Sequence, residues 1–153
     1  MRAVLLSLAL AACSSEIEPS PDGGGEVTAD ARPPQTVDIT GPDVLPHVQA
    51  FADAVCTELG ACRISTYEGH SPVASRAIDI LVSDAYGERP RDGDVFGDAV
   101  AQFALDQAPM FGITYVIFRQ RYNDGGGWEP MEDRGSITQN HFDHVHVSFD
   151  ASL

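Results

Sequence analysis

The chain contains no lysine. Its nine basic residues are all arginines, set against 23 acidic ones, and the formal net charge over 153 residues is -14. Such a protein lacks the basic face that a phosphate backbone requires, which excludes nucleic acid as a partner. The acidity suits a divalent cation and suits a merely solvated surface equally well. Long apolar runs are also missing: residues 3–10, the h-region of the N-terminus, are too short to span a bilayer. Cysteine is scarce, with only Cys13, Cys56 and Cys62, and no second pair exists to complete a structural zinc site. There is no internal repeat, and the length suits one domain rather than two.

The N-terminus carries an export pattern. Met1-Arg2 is a minimal positive n-region, the apolar stretch follows, and Leu10-Ala11-Ala12-Cys13 matches the box of a bacterial lipoprotein signal peptide. Residues 1–12 are therefore expected to be removed and Cys13 to be lipidated. Ser14 stands where an aspartate would favour the inner membrane, so the anchor is expected in the outer membrane, facing the periplasm. Residues 13–40, with Glu-Pro-Ser-Pro-Asp-Gly-Gly-Gly and Ala-Arg-Pro-Pro, cannot bury a core and read as a flexible tether. That leaves residues 41–153 as the folded domain. In an oxidising compartment Cys56 and Cys62 are expected to form a disulfide.

Within the domain, Leu45, Val48, Phe51, Ala52, Val55 and Leu59 recur at helical spacing, after a possible cap at Asp43 and before a stop at Gly60. Strands are expected over 62–66, 77–83, 113–121 and 144–149, and a second helix from Asp94 or Val95 to Ala108, stopped by Gly112. Two main helices packed on a small antiparallel sheet make an α+β fold.

The last strand, His144-Val145-His146-Val147-Ser148-Phe149, alternates strictly. Alternate side chains of a strand point to opposite faces, so Val145, Val147 and Phe149 face a core while His144, His146 and Ser148 face together the other way. Three of the five histidines fall between residues 141 and 149. Asp79 sits in an otherwise apolar strand, Ala-Ile-Asp-Ile-Leu-Val, where a lone carboxylate is costly to bury unless paired or metal-bound. His70 lies nine residues earlier on a loop. His70, Asp79 and one histidine of the pair would supply three ligands and leave a fourth position for water, the layout of a catalytic zinc site. The other histidine would stand beside that water as general base or acid. Each residue also has a plainer role available: Asp79 paired with Arg76, His70 bonded to backbone, His144 and His146 on a solvent-facing edge.

Gly69-His70, then Ser75-Arg76-Ala77-Ile78-Asp79, then His144-Val145-His146 resemble the motif set of the LAS zinc peptidases, the D-Ala-D-Ala carboxypeptidase-like and murein endopeptidase-like enzymes of the Hedgehog/DD-peptidase fold. The segments 115–121, 131–138 and 140–148 are most similar to its secreted bacterial members, and the resemblance covers residues 62–150. It implies a Hedgehog/DD-peptidase-like fold with zinc on His70, Asp79 and His146. It implies His144 as the catalytic histidine, with Arg119 or Arg134 stabilising the oxyanion. Glu132 and Asp133 would either orient a ligand histidine or be surface carboxylates. Eight residues separate His70 from Asp79 where the family has six, and Ser75 replaces a glycine; should the longer loop fail to deliver His70, His141 or Asp143 would take its place.

The resemblance implies a zinc metallopeptidase that hydrolyses a bond in peptidoglycan stem or cross-link peptides, acting as a D,D-carboxypeptidase or endopeptidase. The alternative is a lipoprotein of the same fold that binds peptidoglycan without cutting it. In either case the expected contacts are peptidoglycan peptides and, through Cys13, a membrane; the chain is expected to be a monomer.

Overall fold

The computed structural model describes residues 36–153. The expected signal peptide, Cys13 and the expected tether up to residue 35 lie outside the described residues. The end of the expected tether does not: Val37 is buried in the core, its amide donates to Asp53 Oδ1 at 2.8 Å, and Thr40 bridges to Ser65. The packed part therefore reaches back past residue 41.

The order of elements is α1 (Pro46–Leu59), β1 (Ile64–Ser65), a 3-10 turn (Ala74–Arg76), β2 (Ala77–Leu81), α2 (Val95–Asp106), α3 (Ala108–Phe111), β3 (Ile113–Phe118), β4 (Arg121–Asn123), β5 (Glu129–Pro130) and β6 (His144–Phe149). The six strands form one antiparallel sheet in the order β1-β2-β6-β3-β4-β5. The fold is α+β, as the pattern of elements predicts.

Helix α1 begins with Pro46 in its first turn, a position where a missing N–H costs nothing. Leu45, not Asp43, is its N-terminal boundary residue, and no side chain caps it; the Leu45 amide donates to the Ser75 carbonyl instead. At α2 the capping side chain is Asp92, whose Oδ2 accepts from the Phe96 amide at 2.7 Å; Asp94 holds a left-handed backbone and makes no cap bond. The expected single strand 113–121 is a hairpin. Arg119 and Gln120 both take positive φ (52° and 57°), the backbone of a two-residue turn, and their amides donate to the carbonyls of His141 and Asn140. Arg-Gln has none of the Asn-Gly character that usually marks such a turn, so the reversal is written in tertiary hydrogen bonds rather than in local sequence.

Val145, Val147 and Phe149 lie in the core with Ile78, Ile80 and Val116. Phe51 of α1 anchors the helical layer, its ring within 5.5–6.0 Å of those of Phe103, Phe111 and Phe149. The opposite face carries Asp79, His144, His146 and Ser148, and it too is buried. Loops 66–76, 83–90 and 131–143 cover it. Cys56 and Cys62 are disulfide-bonded, joining the end of α1 to the approach to β1.

Gly97 shows how tightly α2 sits on the sheet: a Cβ there would overlap the Phe118 ring. Gly97→Ala is expected to cost about 1–3 kcal/mol, the usual range for overpacking a filled core, measured as a lower urea midpoint at unchanged m-value.

Candidate metal centre

The register of β2 against β6 sets Asp79 directly opposite His146. The loop after β1 brings His70 over them. The same three atoms make every contact: His70 Nε2 lies 3.1 Å from Asp79 Oδ1 and 2.9 Å from His146 Nδ1, and His146 Nδ1 lies 3.0 Å from Asp79 Oδ1. The three residues are at most 6% exposed. They form a buried group able to hold a metal ion.

The surrounding hydroxyls decide which of these atoms carry protons. Thr66 Oγ1 donates its only proton to the Ala74 carbonyl at 2.8 Å, so it can only accept from His70 Nδ1, 3.0 Å away. His70 is thus protonated on Nδ1 and bare on Nε2. Ser148 Oγ likewise donates to the Ser71 carbonyl at 3.3 Å and accepts from His146 Nε2 at 2.9 Å, which leaves His146 Nδ1 bare. Two imidazole lone pairs and a carboxylate oxygen therefore converge with no proton between them. Such a triangle repels itself in a dry site unless a cation occupies its centre. Tetrahedral zinc with bonds of about 2.0–2.1 Å would set the donors about 3.3–3.4 Å apart, a few tenths of an ångström beyond the distances present. The residues fit the ion.

The ionisation state of His146 agrees. Burial pushes the His146 imidazole down, against the pull of Asp79, which favours the neutral ring a metal needs.

His144 stands beside the triangle. Its Nδ1 is 2.6 Å from Asp143 Oδ1 and its Nε2 is 3.6 Å from Asp79 Oδ1. Asp143 is fully buried, and its other oxygen accepts from the Gly87 amide at 2.6 Å and from the Thr138 hydroxyl. Burial raises this carboxyl, yet the bonds from His144, Thr138 and Gly87 bring it below its ordinary value, so Asp143 is an anion. It fixes the proton of His144 on Nδ1 and leaves Nε2 bare, aimed at the site and ready to accept a proton.

The other expected residues divide. Arg134 lines the cleft over the triangle, a space of about 880 Å3. Arg119 does not reach it: the left-handed turn swings its guanidinium to Asp94 at 3.5 Å and Asp98 at 3.2 Å. Glu132 is exposed, and Asp133 accepts from Asn140 Nδ2 and the Gly135 amide, so Asp133 shapes the covering loop rather than orienting a histidine. His141 lines the cleft with its ring 4.7 Å from that of His144. Burial, with the neighbouring His144 and His146, pushes its pKa down to about 3, so the ring stays neutral at physiological pH. The longer loop does deliver His70, and neither His141 nor Asp143 is needed to replace it: Thr66 clasps the loop at both ends, through His70 and Ala74. The orienting partners Thr66, Ser148 and Asp143 escape sequence reasoning. The only signals are a threonine four residues before His70, a serine on the face of His146, and an aspartate preceding the strand, where alternation no longer fixes its direction.

Removing a partner that orients a ligand histidine typically lowers metal affinity by 10–100-fold. Thr66→Val frees the His70 ring to take the other tautomer. It is expected to weaken the binding of a metal ion by about that factor, read by competition with a chromogenic chelator, with the circular dichroism spectrum unchanged.

Against known proteins, the family model described as VldE, C-terminal domain, matches residues 40–142, which is 103 of the 153 residues. The match includes His70 and Asp79 and ends two residues before His144. An uncharacterized secreted protein of Arthroderma benhamiae is 37% identical over 62 residues, covering 35% of this chain. The chain spans about a quarter of the length of that curated relative, 25%. No solved structure matches the chain. With two-thirds of its length matched by one family model, the chain belongs to the VldE C-terminal domain family.

Proposed function

We propose that this chain is an exported zinc-dependent hydrolase that cuts an amide bond in the stem or cross-link peptides of peptidoglycan, on a Hedgehog/DD-peptidase-like fold. The observation that carries the reading is the triangle of bare donor atoms on His70, Asp79 and His146, with the protons of both rings turned outward to Thr66 and Ser148. When bound there, zinc would supply Lewis acidity, polarising a carbonyl and acidifying a water. His144 Nε2 accepts the proton of the attacking water and passes it to the leaving nitrogen. Asp143 stabilises the imidazolium formed between those two events and keeps the ring in its productive tautomer. Arg134 is the basic side chain on the wall of the cleft, and it balances negative charge developing on the carbonyl oxygen.

Export rests on the signal-peptide pattern, on the Cys56–Cys62 disulfide and on the secreted relative. The box ending at Cys13 supports a lipid anchor, with Ser14 favouring the outer membrane. The delivery of His70 by its long loop weighs against a role confined to binding.

The test is turnover of purified muropeptides, followed by mass spectrometry. His144→Ala is expected to retain one zinc per chain and to lose at least about 100-fold in kcat, since general acid–base catalysis contributes 10²–10⁴-fold. Full activity in a chelated, metal-free preparation, or an undiminished rate in the variant, would contradict the proposal.

A further inference from the structure

The chain has four tyrosines, and all of them line the cleft above the metal triangle. Their placement follows the sheet. Tyr67 leaves the loop after β1 and stacks on His70, with ring centroids 4.4 Å apart and planes at 20°. Tyr115 on β3 lies parallel to His146 at 5.7 Å and 21°, and Tyr122 on β4 stands 5.2 Å from Tyr115. Tyr86 presents its ring to the edge of His144 at 5.6 Å. In strand order, β1 lies on one side of the β2–β6 pair that holds Asp79 and His146, and β3–β4 on the other, so tyrosines flank the triangle on both sides. Tyr67 and Tyr86 are 55% and 46% exposed, so part of each ring is open to a ligand in the cleft.

The rest of the lining is hydroxyl- and amide-rich: Thr40, Ser65, Ser71, Thr138 and Gln139. Apolar side chains are few, which disfavours an aliphatic ligand. A cationic ligand would meet Arg134 beside the metal ion of the proposed site, and an extended polyanion would meet one arginine in a chain of net charge -14. What remains is a neutral ligand with flat C–H faces and many hydrogen-bonding edges. The ring faces of tyrosine carry negative quadrupolar charge that attracts C–H groups, and hydroxyls around the rim suit equatorial hydroxyl and acetamido groups. The volume of about 880 Å3 lies at the large end for small-molecule clefts, with room for a sugar ring and attached peptide.

We infer that the tyrosine-walled cleft binds a saccharide ring next to the bond that is cut, so that the preferred ligand is a glycopeptide and not the bare peptide. This deepens the hydrolase reading and rests on it for the position of the cut, though not for the sugar contact. The test uses the zinc-loaded full chain carrying His144→Ala, so that ligand is not consumed. Calorimetric titration would compare a disaccharide-peptide of peptidoglycan, the same peptide without sugar, and the disaccharide alone. The expected result is at least tenfold tighter binding of the glycopeptide than of the peptide, with measurable binding of the disaccharide. Adding Tyr122→Ala should abolish that difference while leaving zinc content intact, and Tyr122→Phe should preserve most of it. If Tyr122→Ala does not fold, Tyr67→Ala, at a more exposed ring, makes the same comparison. Equal affinity for peptide and glycopeptide, or binding of neither, would overturn the inference. Sugar preference in a chain whose unsubstituted form never hydrolyses muropeptides would uphold it and remove the hydrolase reading alone.

Discussion

One buried carboxylate governs this molecule. Asp79 sits within the sheet, opposite His146 and beneath His70, and is itself only 6% exposed at the floor of the cleft. An uncompensated charge in such a place costs several kcal/mol. The two imidazoles cannot compensate it by donating protons, because Thr66 and Ser148 have already claimed the N–H of each ring. A metal ion held by the three donors would compensate it. The tautomers are set by hydroxyls, the hydroxyls are pinned by the carbonyls of Ala74 and Ser71, and those carbonyls belong to the loop that carries His70. Site and loop hold each other in place.

The scaffold divides the work between its two faces. Apolar residues of β2, β3 and β6 pack against α1 and α2, with Phe51 bridging helices and sheet. Because side chains alternate along a strand, the same backbone that presents Val145 and Val147 to the helices presents His144 and His146 to the cleft. A one-residue slip of β6 would turn the histidines into the core and the valines into the site. The packing of Val147 beside Val116 and Ile78 therefore specifies the register that brings the candidate metal ligands together. Asp143 adds a second control, since it links His144 to the Gly87 amide and to Thr138 and so ties two covering loops to the orientation of one ring.

Much of this arrangement is legible in the sequence, for physical reasons that can be named. The alternation of β6 announces its two faces, and an aspartate among Ala, Ile, Leu and Val signals a paired or liganded carboxylate. The convergence of His70 on that carboxylate is not local. It depends on Thr66 closing a loop that spacing alone makes look too long. The misplacement of Arg119 has a similar origin, because Arg-Gln shows no turn signal and the hairpin exists through bonds to residues 140 and 141. Caps fail the same way: Asp43 and Asp94 are reasonable by type, yet the bonds go to Ser75 and Asp92. Tyrosines scattered at 67, 86, 115 and 122 look unrelated until the strand order gathers them around one cleft.

The central claim is that two neutral rings of fixed tautomer aim bare nitrogens at one cation. Long-range proton–nitrogen NMR on isotope-labelled protein, titrated with zinc, reads it directly. At one equivalent, His70 should show a metal-bound Nε2 with its proton on Nδ1, and His146 a metal-bound Nδ1 with its proton on Nε2. Rings that ignore zinc, or that bind it through the opposite nitrogens, would contradict the account.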